Sequence, residues 1–156
     1  MTNTLSTSDV ERLLRDPSAD ARADVAAKVA QQVGGAKLSP EERTIAEDIV
    51  RVLTRDAAIR VRQALAEQLK ESRSVPHDVA MALAHDVDAV SLPVLTHSLV
   101  LSDEDLVEII RCSGGAKQAA IASREHVSAA VAEAIVAADE PAALATLVAN
   151  DGAELK

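Results

Sequence analysis

A chain of 156 residues with 31 alanines and no Phe, Tyr or Trp is composed for helices rather than sheets. Ala, Leu and Glu favour the helix, whereas strands draw on aromatic and β-branched side chains. The missing aromatics exclude a base-stacking platform for single-stranded nucleic acid and an aromatic cage for a methylated ammonium, and a net charge of −9 repels a phosphate backbone.

Helix start signals recur along the chain. Ser8 with Glu11 has the spacing of a capping box, ahead of a predicted helix over 8–15. Asp16-Pro17 breaks it, and 20–33 follows as an amphipathic helix ending at Gly34-Gly35. Ser39-Pro40-Glu41-Glu42 combines a cap, a proline suited to the first helical position and a closing glutamate, predicting a helix over 40–54. In 59–71, Val61, Leu65 and Leu69 recur every four residues. Further helices are predicted over 76–85 and 88–98, the latter with Pro93 as a kink or a late start. Ser102-Asp103-Glu104-Asp105 places a cap and acid at the positive end of a helix over 103–112. Gly114-Gly115 reads as a helix C-cap, and 116–123, 127–138 and 141–149 complete about ten short helices.

Self-comparison reveals a repeat. The segment from Leu13 to Ala26 aligns without gaps to that from Leu53 to Ala66, an offset of 40 residues. Further copies begin at Leu83-Ala84-His85-Asp86, at Ile121-Ala122-Ser123-Arg124 and at Leu147-Val148-Ala149-Asn150. Each has an apolar helix end, a polar turn, and a new helix. A helix pair of this kind cannot bury its apolar stripe alone, so stacking is required. Ala-rich faces allow the close approach that a core without aromatics needs.

These residues resemble HEAT-like repeats. The resemblance implies an all-α right-handed solenoid of helix pairs, with turn aspartates and second-helix arginines forming a ladder between neighbouring repeats. The matching positions are Asp16, Asp56 and Asp86 with Arg22 and Arg62; in the third copy Leu92 stands where the arginine belongs. HEAT-like folds include DNA base-excision enzymes, but those call for a cationic concave face and aromatic side chains. The run from His77 to Leu106 and the ending from Leu147 to Glu154 resemble one family more closely: the uncharacterised, mainly alphaproteobacterial family catalogued as domain of unknown function 2336. It implies a fold and no activity.

The search for chemistry yields little. His77 and His85 are two helical turns apart, about 12 Å, too far to share one metal ion. None of His77, His85, His97 and His126 has the exposed mid-helix setting of a phosphorelay histidine. Cys112 allows no internal disulfide, and at the end of Leu106-Val107-Glu108-Ile109-Ile110 it reads as a buried small residue rather than a nucleophile. The basic cluster Arg51, Arg55, Arg60 and Arg62 is solvated and ladder-forming in the simpler reading. In the sharper one it holds an anionic ligand, such as a nucleotide phosphate or an acidic peptide.

The expected protein is a single HEAT-like domain over 1–156 that forms part of a longer chain. It is expected to be cytoplasmic, with no enzymatic activity, cofactor, metal, nucleic-acid or membrane partner. Its expected role is to bind another protein on the concave surface; the alternative is a regulatory domain sensing an anionic small ligand through the arginines. Leu144, Leu147 and Val148 form an apolar C-terminal helix expected to expose that face or to cover it in a homo-oligomer contact.

Overall fold

The structure, a computed structural model, describes residues 18–35 and 37–155. The predicted helix over 8–15, its Ser8–Glu11 cap and Asp16 lie outside them. The described residues form nine helices: α1 (Ala19–Gly34), α2 (Pro40–Leu53), α3 (Ile59–Leu69), α4 (His77–Ala84), α5 (Asp88–His97), α6 (Asp103–Cys112), α7 (Gly115–Ala122), α8 (Ala129–Ala138) and α9 (Pro141–Ala149). The only β-type pairing among them is one isolated bridge between Val127 and Ala153. Among the described residues no helix is long and apolar enough to cross a membrane.

Local chemistry starts several of these helices. Ser39 Oγ accepts from the Glu42 amide while Glu42 accepts from the Ser39 amide, with Pro40 at the first helical position. Ser102 and Asp105 form the same reciprocal box at α6. Ser18 and Ser128 cap α1 and α8. The expected C-cap at Gly114-Gly115 needs correcting, and of the two readings of Pro93 the late start is excluded: α5 begins at Asp88 and continues through Pro93. A proline there removes the donor to the carbonyl of Ala89, and Ala89 is exposed, so water can take the donor's place. Gly114 is the N-cap of α7, while Ser113 closes α6. Neither Gly114 nor Gly115 adopts a positive φ; the left-handed cap is Asp139 after α8.

Packing follows a simple order. α1 packs on α3, α3 on α5, α5 on α7 and α7 on α9. The even-numbered helices lie against chain neighbours, with α6 also packed on α8. The apolar residues from Val25 to Leu147 make one contiguous core. Among the described residues ten alanines are buried, including Ala26, Ala30 and Ala66 on the helices of the most extensive contact, α1 with α3. Small side chains let axes approach closely, which is how density is reached without rings.

Candidate functional site

Two sets of polar contacts tie successive helices together. In the first, Arg22 of α1 donates to Asp56 through Nε at 2.7 Å and Nη2 at 3.1 Å. Arg62 of α3 reaches Asp86 in the same way at 2.6 and 3.1 Å, and its Nη1 donates to the Asp56 carbonyl at 2.6 Å. The fork of the guanidinium matches both carboxylate oxygens, which fixes register as well as energy. Each aspartate also accepts from an amide at the start of the next helix, Ala58 or Val87. The hydrogen bonds from Arg22 hold the Asp56 carboxyl below its ordinary pKa, against the effect of burial.

The third rung differs. The turn before α5 is one residue shorter, so the fourth residue of the helix, occupied by Arg22 in α1 and Arg62 in α3, is Ser91 rather than Leu92. Ser91 is fully buried and its hydroxyl has no partner. Continuity is kept by Lys117 of α7, whose Nζ donates to the Asp86 carbonyl at 2.6 Å and to that of Ala84 at 3.4 Å. Gln118 occupies the same fourth position in α7 and donates to the carbonyls of Ile110 and Ser113.

The four arginines of the basic cluster do not converge on a common point. Arg62 belongs to the ladder and is only 15% exposed. Arg51 donates to Asp78 at 2.9 and 3.3 Å and to Asp48 at 3.1 Å, and Arg60 pairs with Asp20. Among the described residues Arg55 has no ion pair and is exposed.

The second set of contacts closes helix C-termini, where carbonyls lack intrahelical donors. Arg43 donates to the carbonyls of Val33 and Gly35, Arg124 to those of Leu95 and Ser98, and Asn150 to those of Ala122 and Arg124. Burial lowers the pKa of Arg124, yet a guanidinium remains a cation. The segment after α9 folds back beside Val127: Val127 donates to the Gly152 carbonyl and Glu154 donates to that of Val127.

Arg124 and Val127 also belong to a groove of about 1060 Å³. It is lined by Glu71 after α3, by the end of α5 and the connection that follows it, by the first turn of α6, by the connection after α7 and by Val131 of α8, and no ladder residue contributes. Leu101, Leu106, Val127 and Val131 make a buried apolar floor, and Leu99 stands on it 53% exposed. Glu71, Asp103 and Glu125 bring carboxylates to the rim. His97 lies 3.7 Å from Glu71, and His126 lies 3.5 Å from Glu154. His77 pairs with Asp105 at 2.7 Å on the neighbouring surface. No motif in the sequence marks this groove. Its one signal was Leu99, an apolar residue in the loop Ser98-Leu99-Val100-Leu101, outside any helical period.

Cys112 is exposed, not buried. The buried stripe of α6 is Leu106, Ile109 and Ile110, and Cys112 is the last residue of the helix, off that stripe. Among the described residues no cluster of three or more His, Cys, Asp or Glu is arranged to hold a metal ion. In α9 Leu147 is buried, Leu144 is partly buried against the core, and Val148 is 75% exposed.

Residues 90–156 match the model of a family described as an uncharacterised protein conserved in bacteria, DUF2336. Neither the curated proteins nor the solved structures contain a match to the chain.

Proposed function

We propose that this chain is a non-enzymatic protein-binding module: a right-handed α-solenoid of HEAT-like helix pairs that works in the cytoplasm as a scaffold or regulatory part. The observation that carries the reading is the unbroken packing order of α1, α3, α5, α7 and α9, clamped by Arg22–Asp56 and Arg62–Asp86. A row of helices built in this way offers one extended face, and in solenoids such a face is the usual binding surface. Its solvent side carries Gln63 and Glu67 on α3 and Ala116 on α7, all exposed.

The test is affinity capture from a bacterial lysate on the whole chain, read by mass spectrometry. A protein retained by the wild type and by the α8 surface variant Glu133→Arg, but lost by Gln63→Arg/Ala116→Arg, supports the reading. Equal retention by all three overturns it. A rise in the thermal midpoint with added nucleotide, growing as ln(1 + [L]/Kd) and absent in Arg55→Ala, would instead favour the anion-sensing alternative.

A further inference from the structure

The charge of this chain is unevenly placed. Residues 90–156 hold ten carboxylates against four Lys and Arg, a net −6 out of the total of −9. Around the ladder, carboxylates are matched to guanidinium groups: Asp56 to Arg22, Asp86 to Arg62, Asp20 to Arg60, Asp78 to Arg51. Around the groove they are not. Among the described residues, the carboxylates of Asp103 and Glu125 make no ion pair or hydrogen bond, and Glu71 has only the His97 ring nearby among the groove residues. The one permanent cation of the lining, Arg124, donates to two carbonyls and acts on Asp103 through space without a direct ion pair, so it offsets only part of the negative charge. The groove therefore presents a net negative charge, three carboxylates against one guanidinium, around an apolar floor and one protruding leucine.

We infer that this groove is a docking surface for a basic, extended or helical peptide segment of a partner protein, seating an apolar side chain beside Leu99 and Lys or Arg side chains against Asp103 and Glu125. The inference rests on the protein-binding reading and adds the place and chemistry of one contact. Charge complementarity favours a cationic occupant: an acidic segment would meet a surplus of carboxylates, and like charges facing across an interface are strongly disfavoured. An apolar anchor completes the fit, because Leu99 spends about half its surface in water when free.

A random-peptide phage library panned on the whole chain tests this, with Asp103→Asn/Glu125→Gln as the counter-screen. Both substitutions lie on exposed side chains, and circular dichroism checks that the fold is retained. The expected peptides carry Lys or Arg on both sides of an apolar residue. Their synthetic forms should bind the double variant about tenfold more weakly than the wild type, the worth of two rim charges. Leu99→Ser should weaken them as well, and salt near 1 M should remove most of the difference, since screening there acts within about 3 Å. An acidic or uncharged consensus, equal binding to both proteins, or no enrichment overturns the proposal. Peptides lost only on Gln63→Arg/Ala116→Arg would sink the groove and leave the protein-binding reading standing.

Discussion

Gly152 has no room for a side chain. A Cβ there would fall 2.0 Å from the carbonyl oxygen of Glu125, and backbone would have to move. Gly152→Ala is expected to cost about 1–3 kcal/mol, in the range of overpacking. Gly114→Ala, with nothing within 4 Å, should stay within about 0.5 kcal/mol. Urea midpoints decide, and a neutral Gly152→Ala would mean that the fold-back at Val127 adds no stability. The arginines separate by the same reasoning. Leu65 is fully buried, so Leu65→Ala should lose about 2–5 kcal/mol. Arg55→Ala, at an exposed side chain without an ion pair, should lose less than about 0.5 kcal/mol. Arg62→Ala leaves Asp86 and the Asp56 carbonyl short of a donor and should fall between them, at about 1–3 kcal/mol. An Arg62→Ala as mild as Arg55→Ala would show that the ladder contributes register without stability.

The links between helices predict a response to acid. Hydrogen bonds from Arg22 lower the pKa of Asp56, and those from Arg51 lower that of Asp78. Burial opposes the charge on Asp105, but its bonds from the Ser102 amide, His77 and the Ser102 hydroxyl outweigh it and lower that pKa too. In the unfolded chain these groups titrate near the ordinary aspartate value of about 3.9. The unfolded state therefore binds more protons through the window below that value, so stability rises with pH there. The stabilisation is fully present above the unfolded pKa and is lost as pH falls through the depressed folded values. Chemical denaturation from about pH 6 downward should show this decline. Asp56→Asn should be less stable than the wild type at neutral pH and lose less on acidification. A parallel decline in both proteins would remove Asp56 from the cause.

If the helix pairs wind as a solenoid, the molecule is longer than a compact domain of equal size. The compact scaling gives a radius of gyration of about 15 Å for this length, and a short solenoid should exceed it by roughly 1–3 Å. Small-angle scattering from the monomer makes the comparison, and a value at or below the compact one overturns the solenoid. The scattering concentration series also reports on self-association. Val148 on α9, Val136 on α8 and Leu155 after α9 are exposed apolar side chains that a homo-oligomer contact would cover.

Helix positions were largely legible in the chain because their signals act within a turn. The Ser39–Glu42 and Ser102–Asp105 boxes and the proline at Pro141 need only neighbours three or four residues away, and α2, α6 and α9 begin where those signals stand. The 40-residue repeat likewise marks the positions that the structure brings together: Arg60 pairs with Asp20, its own counterpart one repeat earlier. What the chain alone left open depends on register across packed helices. One residue fewer before α5 puts Ser91, not Leu92, at the ladder position, and Lys117 bridges to that turn from 31 residues away. Cys112 escapes burial because the apolar stripe of α6 passes it by. The groove draws on the connections after α3, α5 and α7 and on the start of α6, so only packing could assemble Leu99, Asp103 and Glu125 around one apolar floor. Caps are decided by local hydrogen bonds, whereas a surface is decided by which distant faces bury one another.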